Sequence, residues 1–221
     1  MPDYPSAVLF DMDGTLVDTE HLWLEAATEL ADELGLTLGD ADLPEILGRA
    51  VEHTAAHFFR ISGEARPEAE LAARLNDAFA AKVAAETVPR PGALALLQEL
   101  RDAAVPAALV SASPRQVVDL VLESLGREWF ALTMAAEDTE VTKPDPAPYL
   151  AAAARLGFDP ATCVAVEDTP TGVASAHAAG CAVLAVPSTV PIAAAERITL
   201  LESLAQADLA FLSTLTARTA A

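Results

Sequence analysis

The stretch Ser6-Ala-Val-Leu-Phe-Asp-Met-Asp-Gly-Thr15 is the part of the sequence that decides the fold. Its first half is a short apolar run, which predicts a buried β-strand, and its acidic second half with Gly14 predicts a loop. Side chains two positions apart on an extended segment point to the same side, so Asp11 and Asp13 converge at the end of this strand. A turn or a helix cap is the alternative interpretation of this motif.

Composition limits the classes of protein to which the chain can belong. It has 221 residues, with 13 Lys and Arg against 33 Asp and Glu and a net charge of −20. At 52% hydrophobic and 21% charged residues, it is too apolar to be disordered. The negative charge argues against nucleic acids and anionic membranes as partners, and no apolar run reaches the roughly 20 residues of a membrane span. The first residues lack the pattern of a signal peptide, and the two cysteines, Cys163 and Cys181, fit a reducing compartment. We therefore expect a cytoplasmic globular protein that is a monomer, with a dimer as the alternative.

Apolar spacing divides the chain into two kinds of structure. Helical periodicity dominates the first part, and helices and strands alternate from Pro89 onward. The helices predicted in the first part run from Thr19 to Leu34, from Asp42 onward, from Glu52 to Ile61 and from Pro67 to Ala85. The later predicted strands are apolar on both faces, as parallel strands covered by helices are, and they are Ala107 to Ser111, Leu132 to Ala135, Cys163 to Glu167 and Ala182 to Val186. We predict an α/β fold with a parallel-sheet core formed by residues 1–17 and 88–221 and an inserted all-helical domain of residues 18–87.

Further polar groups follow predicted strands as the first acid pair does. Ser111 and Glu167-Asp168 each end a strand, and Lys143 lies in a loop before a proline. Ligands of open parallel sheets bind at the carboxyl ends of the strands, so we expect these groups side by side. A cap, a surface charge pair or a solvated loop lysine is the ordinary alternative for each. Ser113-Pro114 would cap the next helix and so leave Ser111 free.

Four carboxylates at one sheet edge repel one another strongly, so such a cluster needs a cation. Oxygen ligands without His or Cys favour Mg²⁺ over Zn²⁺. Mg²⁺, Lys143 and helix N-termini would together hold a phosphate despite the net charge of −20. In such a site one carboxylate attacks phosphorus to form an aspartyl phosphate, while a neighbouring acid protonates the leaving oxygen and then activates water.

Four motifs occur in the order Asp11-Met-Asp-Gly-Thr15, Ser111, Lys143-Pro144 and Glu167-Asp168. With them the chain resembles, over nearly its whole length, the phosphatases of the haloacid dehalogenase (HAD) superfamily. The resemblance is to the group that includes β-phosphoglucomutase and sugar-phosphate phosphatases. It implies a Rossmann-like HAD core and a mobile cap, here the helical insertion, which closes over the site and supplies substrate specificity.

The resemblance also implies a role for each motif residue. Asp11 is the nucleophile, Asp13 is the general acid/base, and Ser111 and Lys143 are catalytic residues that hold the phosphoryl group. The implied Mg²⁺ ligands are Asp11, the Asp13 carbonyl and Asp168, with Glu167 binding the ion directly or supporting it. The implied substrate-binding residues are Gly14, Thr15, Trp23, Arg49, Ser111, Ala112 and Lys143.

Five positions in the helical insertion bear on what the chain can bind. Trp23 stands where the mutase group carries a histidine, and its alternative is a place in the core of the insertion. Arg49 lies where related caps place a substrate-contacting loop, and its alternative is a plain surface arginine. Lys82 is the candidate for the Schiff-base lysine of phosphonate-cleaving relatives, but its place late in the last helix disfavours that role. His53 and His57 have the spacing of a zinc pair without a third ligand, so a solvated helix face is favoured.

We predict a Mg²⁺-dependent phosphomonoester hydrolase that acts on a small phosphorylated metabolite, with a sugar phosphate favoured. The alternatives are a β-phosphoglucomutase-type isomerase, a phosphoglycolate-type phosphatase and an inactive relative used for binding.

Overall fold

A computed structural model describes residues 4–63 and 66–217 as a six-stranded sheet with helices on both faces and a group of helices inserted after the first strand. The strands are β1 (Ala7–Phe10), β2 (Ala107–Val110), β3 (Leu132–Met134), β4 (Cys163–Glu167), β5 (Ala182–Ala185) and β6 (Ile198–Leu200). The helices are α1 (Glu20–Glu33), α2 (Val51–Ile61), α3 (Glu68–Ala85), α4 (Ala93–Asp102), α5 (Arg115–Leu125), α6 (Ala147–Leu156), α7 (Pro170–Ala178) and α8 (Leu209–Ala217).

The first strand lies in the middle of the sheet, although it is separated from the others along the chain. The strand order is β3-β2-β1-β4-β5-β6, and every named pair is parallel. Val8 is in register with Ala107 of β2 on one side and with Val164 of β4 on the other. This confirms the predicted α/β fold with a parallel sheet. The order of connection reverses at β1, so the carboxyl end of β1 is the point where such sheets bind ligands.

The residues of β1 alternate between two hydrophobic clusters, one on each face of the sheet. Val8 and Phe10 pack into the cluster covered by α4, α5 and α8. Ala7 and Leu9 pack into the cluster covered by α6 and α7. All four side chains are fully buried. This two-sided burial explains why the strand is a continuous apolar run and not an alternating one.

The helices inserted after β1 have a hydrophobic cluster of their own. Ala27 and Leu30 of α1 pack there with Phe58 of α2 and with Leu71 and Leu75 of α3. The two chain segments that lead into and out of these helices lie side by side, since the Asp18 amide donates to the Val88 carbonyl at 2.8 Å. The helical character of the insertion is as predicted, and its boundaries at residues 18 and 87 stay a prediction.

Three details of the secondary structure differ from the prediction. The segment that follows Asp42 is only a short 3₁₀ helix, Leu43–Glu45, and the chain turns soon after it at Gly48, which has φ +65°. The edge strand β6 was not predicted, since three half-exposed residues carry too little pattern. Strand β2 ends at Val110, so Ser111 is the first residue after the strand. In the described parts of the chain, none of the helices has both the length and the apolarity of a membrane span.

Candidate active site

The predicted site residues come together at the carboxyl end of the sheet. Asp11 follows β1, Ser111 follows β2, and Asp168 follows β4. Lys143, from the loop before α6, reaches the same place, where its Nζ donates to Asp11 Oδ1 and to Glu167 Oε1, each at 2.6 Å. All five side chains are buried. The edge of a parallel sheet therefore gathers residues that are up to 157 positions apart, as strand-end placement predicts.

The charges around Lys143 compensate one another. Burial by itself lowers the pKa of the Lys143 ammonium, but the Asp11 and Glu167 carboxylates outweigh it and hold the pKa above its ordinary value. Burial raises the pKa of Glu167, and the Lys143 charge opposes that shift. Removing this buried ammonium would leave both carboxylates uncompensated, so the two ion pairs keep Lys143 in place between them.

Two residues that sequence reasoning missed hold Glu167 in place. The buried Tyr149 hydroxyl donates to Glu167 Oε1 at 2.6 Å, and burial raises the pKa of this phenol so that it stays a donor. Gly172, in the first turn of α7, lies so close that a Cβ atom there would be 2.0 Å from the Glu167 carboxylate. Tyr149 is part of an apolar helix pattern and Gly172 of a helix start, so neither carried a signal of its own in the sequence.

Asp168 is fixed by residues of the first loop and of a later loop. Thr15 Oγ1 donates to Asp168 Oδ1 at 3.2 Å, and Ser188 Oγ donates to Oδ2 at 2.6 Å. Gly14 has φ +78°, and a Cβ atom there would be 2.0 Å from Asp168 Oδ2. This position therefore requires glycine for two reasons, the backbone conformation and the lack of space. Burial, followed by the charges of Asp11 and Glu167, raises the pKa of Asp168 well above its ordinary value. Gly14 and Thr15 thus support a carboxylate, and their predicted contact with substrate stays a prediction.

Three of the carboxylates form a group that can hold a cation. Asp11, Glu167 and Asp168 each offer one oxygen, and these oxygens lie within 4.8 Å of one another. All three side chains are buried, so their mutual repulsion is poorly screened by solvent. Oxygen ligands at this spacing suit a hard divalent cation.

The Asp13 carboxylate points away from this group and is held by hydroxyls. Thr19 Oγ1 donates to Asp13 Oδ1 at 2.7 Å, and Ser113 Oγ donates to Oδ2, also at 2.7 Å. Burial, followed by the charge of Asp11, raises the pKa of Asp13 to about 6, although the two hydroxyls oppose the shift. A carboxyl group with such a pKa is suited to both giving and taking a proton near neutral pH.

The structure corrects the expected role of Ser113. Ser113 was expected to cap α5, but its hydroxyl bonds Asp13, and Pro114 precedes the helix without a side-chain cap. Ser111 does not cap the helix, as expected, and its Oγ accepts the Ser113 amide at 2.9 Å and lies 3.5 Å from Asp13 Oδ2. The prediction for Ser113 was wrong because a turn brings both hydroxyls to the same carboxylate, which the Ser-Ala-Ser-Pro pattern does not reveal.

A cleft lies between the sheet edge and the inserted helices. On the sheet side it is lined by Asp11, Asp13, Ala112, Ser113, Pro114, Lys143, Asp168, Thr169, Thr171 and Gly172. On the side of the insertion it is lined by Thr19, Glu20, Trp23, Gly48, Arg49, Ala50, Val51 and Phe79. Ala112, Trp23 and Arg49, which the resemblance assigned to substrate binding, therefore all face this cleft.

Trp23 lies at the cleft and also packs inside the insertion, and its predicted contact with substrate stays a prediction. It lines the cleft, and it also packs edge to face on Phe79, with the ring centroids 5.4 Å apart. Its Nε1 donates to the Ile46 carbonyl at 2.9 Å and so ties α1 to the loop before α2. In that loop Arg49 Nε donates to the Pro44 carbonyl at 3.0 Å. The loop with Arg49 is thus anchored from two directions at the mouth of the cleft.

The remaining candidates of the sequence analysis lie elsewhere. His53 and His57 bond Glu45 and Asp42 separately, so they do not face each other as a zinc pair would. His57 is only 6% exposed, so the expectation of a solvated face was wrong for it, and its Nε2 lies 2.8 Å from Asp42 Oδ1. Lys82 bonds Glu25 and Glu29 and does not line the cleft. Cys163 and Cys181 are buried free thiols whose pKa burial raises to about 11 and about 12.

Three proteins are similar to the chain over most of its length. Hexitol phosphatase A of Escherichia coli (strain K12) is 37% identical over 185 residues, which are 83% of this chain and 84% of that protein. Validoxylamine A 7'-phosphate phosphatase of Streptomyces hygroscopicus subsp. limoneus is 35% identical over 176 residues, 78% of this chain and 81% of that protein. The crystal structure of a CbbY mutant from Rhodobacter sphaeroides, in complex with xylulose-(1,5)bisphosphate, has a TM-score of 0.82 and 27% identity and covers 94% of this chain and 98% of that one.

A family model also matches the chain. It is that of the haloacid dehalogenase-like hydrolases, and it matches residues 5–180. That range contains all four motifs on which the resemblance was based, together with the whole helical insertion. The match confirms the resemblance and the fold that it implied. The chain belongs to the haloacid dehalogenase-like hydrolases.

Proposed function

We propose that this protein is a Mg²⁺-dependent phosphatase that hydrolyses a small phosphorylated metabolite, a sugar phosphate, through an aspartyl phosphate on Asp11. The observation that carries the proposal is the position of Asp11 at the central strand end, bonded to buried Lys143 and facing the cleft together with Asp13. The names of the relatives, hexitol phosphatase and validoxylamine A 7'-phosphate phosphatase, support a phosphorylated polyol or sugar as the substrate class.

The cluster of three carboxylates supports the proposal that a magnesium ion is bound in the site. Asp11, Asp168 and the Asp13 backbone carbonyl would hold it, with Glu167 as a ligand or as a support of the others. Burial, followed by repulsion from Asp11 and Glu167, raises the pKa of Asp168, and a divalent cation would relieve that repulsion. When bound, Mg²⁺ supplies positive charge against the oxygens of the transferred phosphoryl group.

Asp11 is the group that forms the covalent bond. Lys143 fixes its Oδ1, and we assign Oδ2 as the oxygen that bonds to phosphorus while the bond from phosphorus to the ester oxygen breaks. Lys143 stays charged because of its two carboxylate partners, so it can also donate to a phosphoryl oxygen. Ser111, which lies next to Asp13, is proposed to donate a hydrogen bond from its hydroxyl to a second phosphoryl oxygen.

Asp13 is the group that moves the proton. Its carboxyl gives the proton to the leaving ester oxygen, which departs as an alcohol, and the resulting carboxylate then takes a proton from the water that cleaves the aspartyl phosphate. Burial supports this by raising its pKa to about 6, so that both forms are accessible near neutral pH. Thr19 and Ser113 hold the two oxygens in place from opposite sides.

Phosphate release from a panel of sugar and alditol phosphates tests the proposal. We expect turnover with saturating Mg²⁺, loss of turnover with EDTA, and no turnover or aspartyl phosphate in the Asp11→Asn variant. Feeding β-glucose 1-phosphate with a trace of the bisphosphate separates a hydrolase from an isomerase, because an isomerase accumulates glucose 6-phosphate and a hydrolase accumulates phosphate. If no phosphate monoester, including p-nitrophenyl phosphate, is hydrolysed with Mg²⁺, the proposed function is wrong.

A further inference from the structure

His53 and His57, which have no role in the mechanism above, lie one turn apart on the same face of α2. His53 Nε2 lies 2.6 Å from Glu45 Oε2. His57 Nε2 lies 2.8 Å from Asp42 Oδ1. Asp42 comes directly before the short 3₁₀ helix and Glu45 ends it, and side chains three residues apart in such a helix lie on one side. Two hydrogen bonds, side by side, therefore fasten the 3₁₀ helix to α2.

In both pairs the histidine is the donor. A hydrogen bond from the His53 ring holds the pKa of Glu45 below its ordinary value. The Gly39 amide and then the His57 ring lower the pKa of Asp42 in the same way. Both acids are therefore carboxylates, which only accept hydrogen bonds, so Nε2 of each ring carries a proton. Because Nε2 is protonated in the neutral and in the charged ring alike, the two bonds do not depend on the charge of the histidines.

The piece of chain between the two fastened acids holds Arg49. The Pro44 carbonyl accepts a hydrogen bond from Arg49 Nε at 3.0 Å. Pro44 lies between Asp42 and Glu45 in the chain, so the two histidine bonds fix the place of this carbonyl. The Arg49 side chain is long and exposed, and without a fixed partner it would sample many rotamers. The histidines thus restrict Arg49 although they do not touch it.

Arg49 is a cation of the cleft that remains available to a ligand. Its two terminal nitrogens form no hydrogen bond or ion pair within residues 4–63 and 66–217. Among the described residues that line the cleft, Lys143 is the other permanent cation, and it is bonded to Asp11 and Glu167. A planar guanidinium with free nitrogens suits phosphate, carboxylate or hydroxyl oxygens of a substrate.

We infer that His53 and His57 are positioning residues for Arg49, whose guanidinium they keep at the cleft so that it binds the substrate. This inference rests on the proposed phosphatase function and on the predicted contact of Arg49 with substrate. Neither histidine lines the cleft, so both act through the 3₁₀ helix and the Pro44 carbonyl. By this route, the loss of both histidines cannot cost more substrate binding than the loss of Arg49 itself.

A double-mutant cycle on kcat/KM tests the inference, with the sugar or alditol phosphate that the wild type hydrolyses fastest. We expect Arg49→Ala to lower kcat/KM about 10- to 100-fold, mainly through KM, as the loss of a hydrogen bond to a charged group does. Combined His53→Ala and His57→Ala should lower kcat/KM about 5- to 50-fold in the wild-type background, but less than about twofold when Arg49 is already alanine. Combined His53→Gln and His57→Gln keeps a side-chain donor on both residues and should return kcat/KM to within about threefold of the wild type.

His21→Ala is the matched control. His21 is likewise a histidine of an inserted helix, but it is exposed and outside the cleft, so its removal should leave kcat/KM unchanged. Equal losses from the two histidine-to-alanine changes with and without Arg49 would show a purely structural role and overturn the inference. An Arg49→Ala variant with the kcat/KM of the wild type would overturn it as well. If the double alanine variant does not fold, His53→Ala alone, which removes a half-exposed ring, runs the same cycle.

Amide hydrogen exchange gives a readout that does not depend on activity. The amides of Ile46 and Leu47 are hydrogen-bonded within the segment that carries Pro44. Their exchange should become faster in the histidine-to-alanine variants and stay as in the wild type in His21→Ala. Unchanged exchange would overturn the inference. A wild type that hydrolyses no phosphate monoester would instead refute the proposed function, and the exchange rates would still decide whether the histidines hold the segment.

Discussion

Replacing Asp13 by Asn should stabilise the metal-free protein, and increasingly so as the pH rises. Burial and the charge of Asp11 raise the pKa of Asp13 from 3.8 to about 6 in the folded state. A carboxyl whose pKa is higher in the folded than in the unfolded chain makes no difference to stability below pH 3.8, where both states are protonated. Between that pH and about 6 the unfolded state releases the proton first, so the free energy of unfolding falls, and above 6 the full penalty applies.

The size of the effect follows from the difference between the two pKa values. A difference of about 2 units costs the folded wild type about 3 kcal/mol at pH 8, at about 1.4 kcal/mol per unit. At pH 5 the penalty is about half of that, since Asp13 is then still mostly protonated in the folded state. Both values are upper limits because part of the side chain stays exposed to solvent. The advantage of Asp13→Asn over the wild type should therefore grow by up to about 1.5 kcal/mol from pH 5 to pH 8.

Urea unfolding of both proteins in EDTA at pH 5, 6, 7 and 8 measures this growth. Differences in hydrogen bonding between Asn and Asp shift all four values alike, so the slope against pH isolates the ionisation of Asp13. The same variant should lose about 10²- to 10⁴-fold in kcat with Mg²⁺, because it can neither give nor take the proton. A stability difference that stays constant over the four pH values would refute the raised pKa, and near-normal turnover would refute the proton-transfer role.

Three other variants test the supports of the site. Tyr149→Phe should lower the free energy of unfolding by about 1–3 kcal/mol in urea, because Glu167 loses a buried donor. Gly172→Ala should lower the melting temperature by several degrees, because the added Cβ would collide with the Glu167 carboxylate. Gly157→Ala is its control: a Cβ there meets no atom within 4 Å, so only the positive φ should lower the stability. Lys143→Ala should destabilise the metal-free protein by about 3–5 kcal/mol and abolish turnover; unchanged unfolding by urea would contradict the buried ion pairs.

Much of the fold was predictable because the strands of a parallel sheet are buried on both faces. Continuous apolar runs such as Ala107–Val110 therefore stand out, and their carboxyl ends must meet at one edge. That single rule predicts that Asp11, Ser111 and Asp168 lie side by side, because each of them follows a strand or ends one. Strand β6 lies at the edge of the sheet and is half-exposed, so it lacks the apolar signature that identified the others.

The residues that sequence reasoning missed matter because of where their side chains point. Their places in the sequence pattern are ordinary. Tyr149 looks like any apolar residue of α6, but its hydroxyl points out of the helix packing toward Glu167. Ser113 has the sequence of a helix cap, yet the turn before α5 aims its hydroxyl at Asp13. The direction of a side chain depends on how the preceding turn is placed in three dimensions. Local patterns of residue types do not reveal this.

A protein with a net charge of −20 repels phosphate, so a phosphate substrate requires a cation, here the proposed divalent ion, as part of the binding site. Lys143 cannot attract a phosphate by itself, because Asp11 and Glu167 already outnumber its single charge. With Asp168 ionised, the buried cluster is negative by two charges, which a divalent ion would cancel. A divalent ion held there would remove the repulsion that disfavours a phosphate in the cleft. In the metal-free protein, burial and then this repulsion raise the pKa of Asp168, so a proton takes the place of the cation.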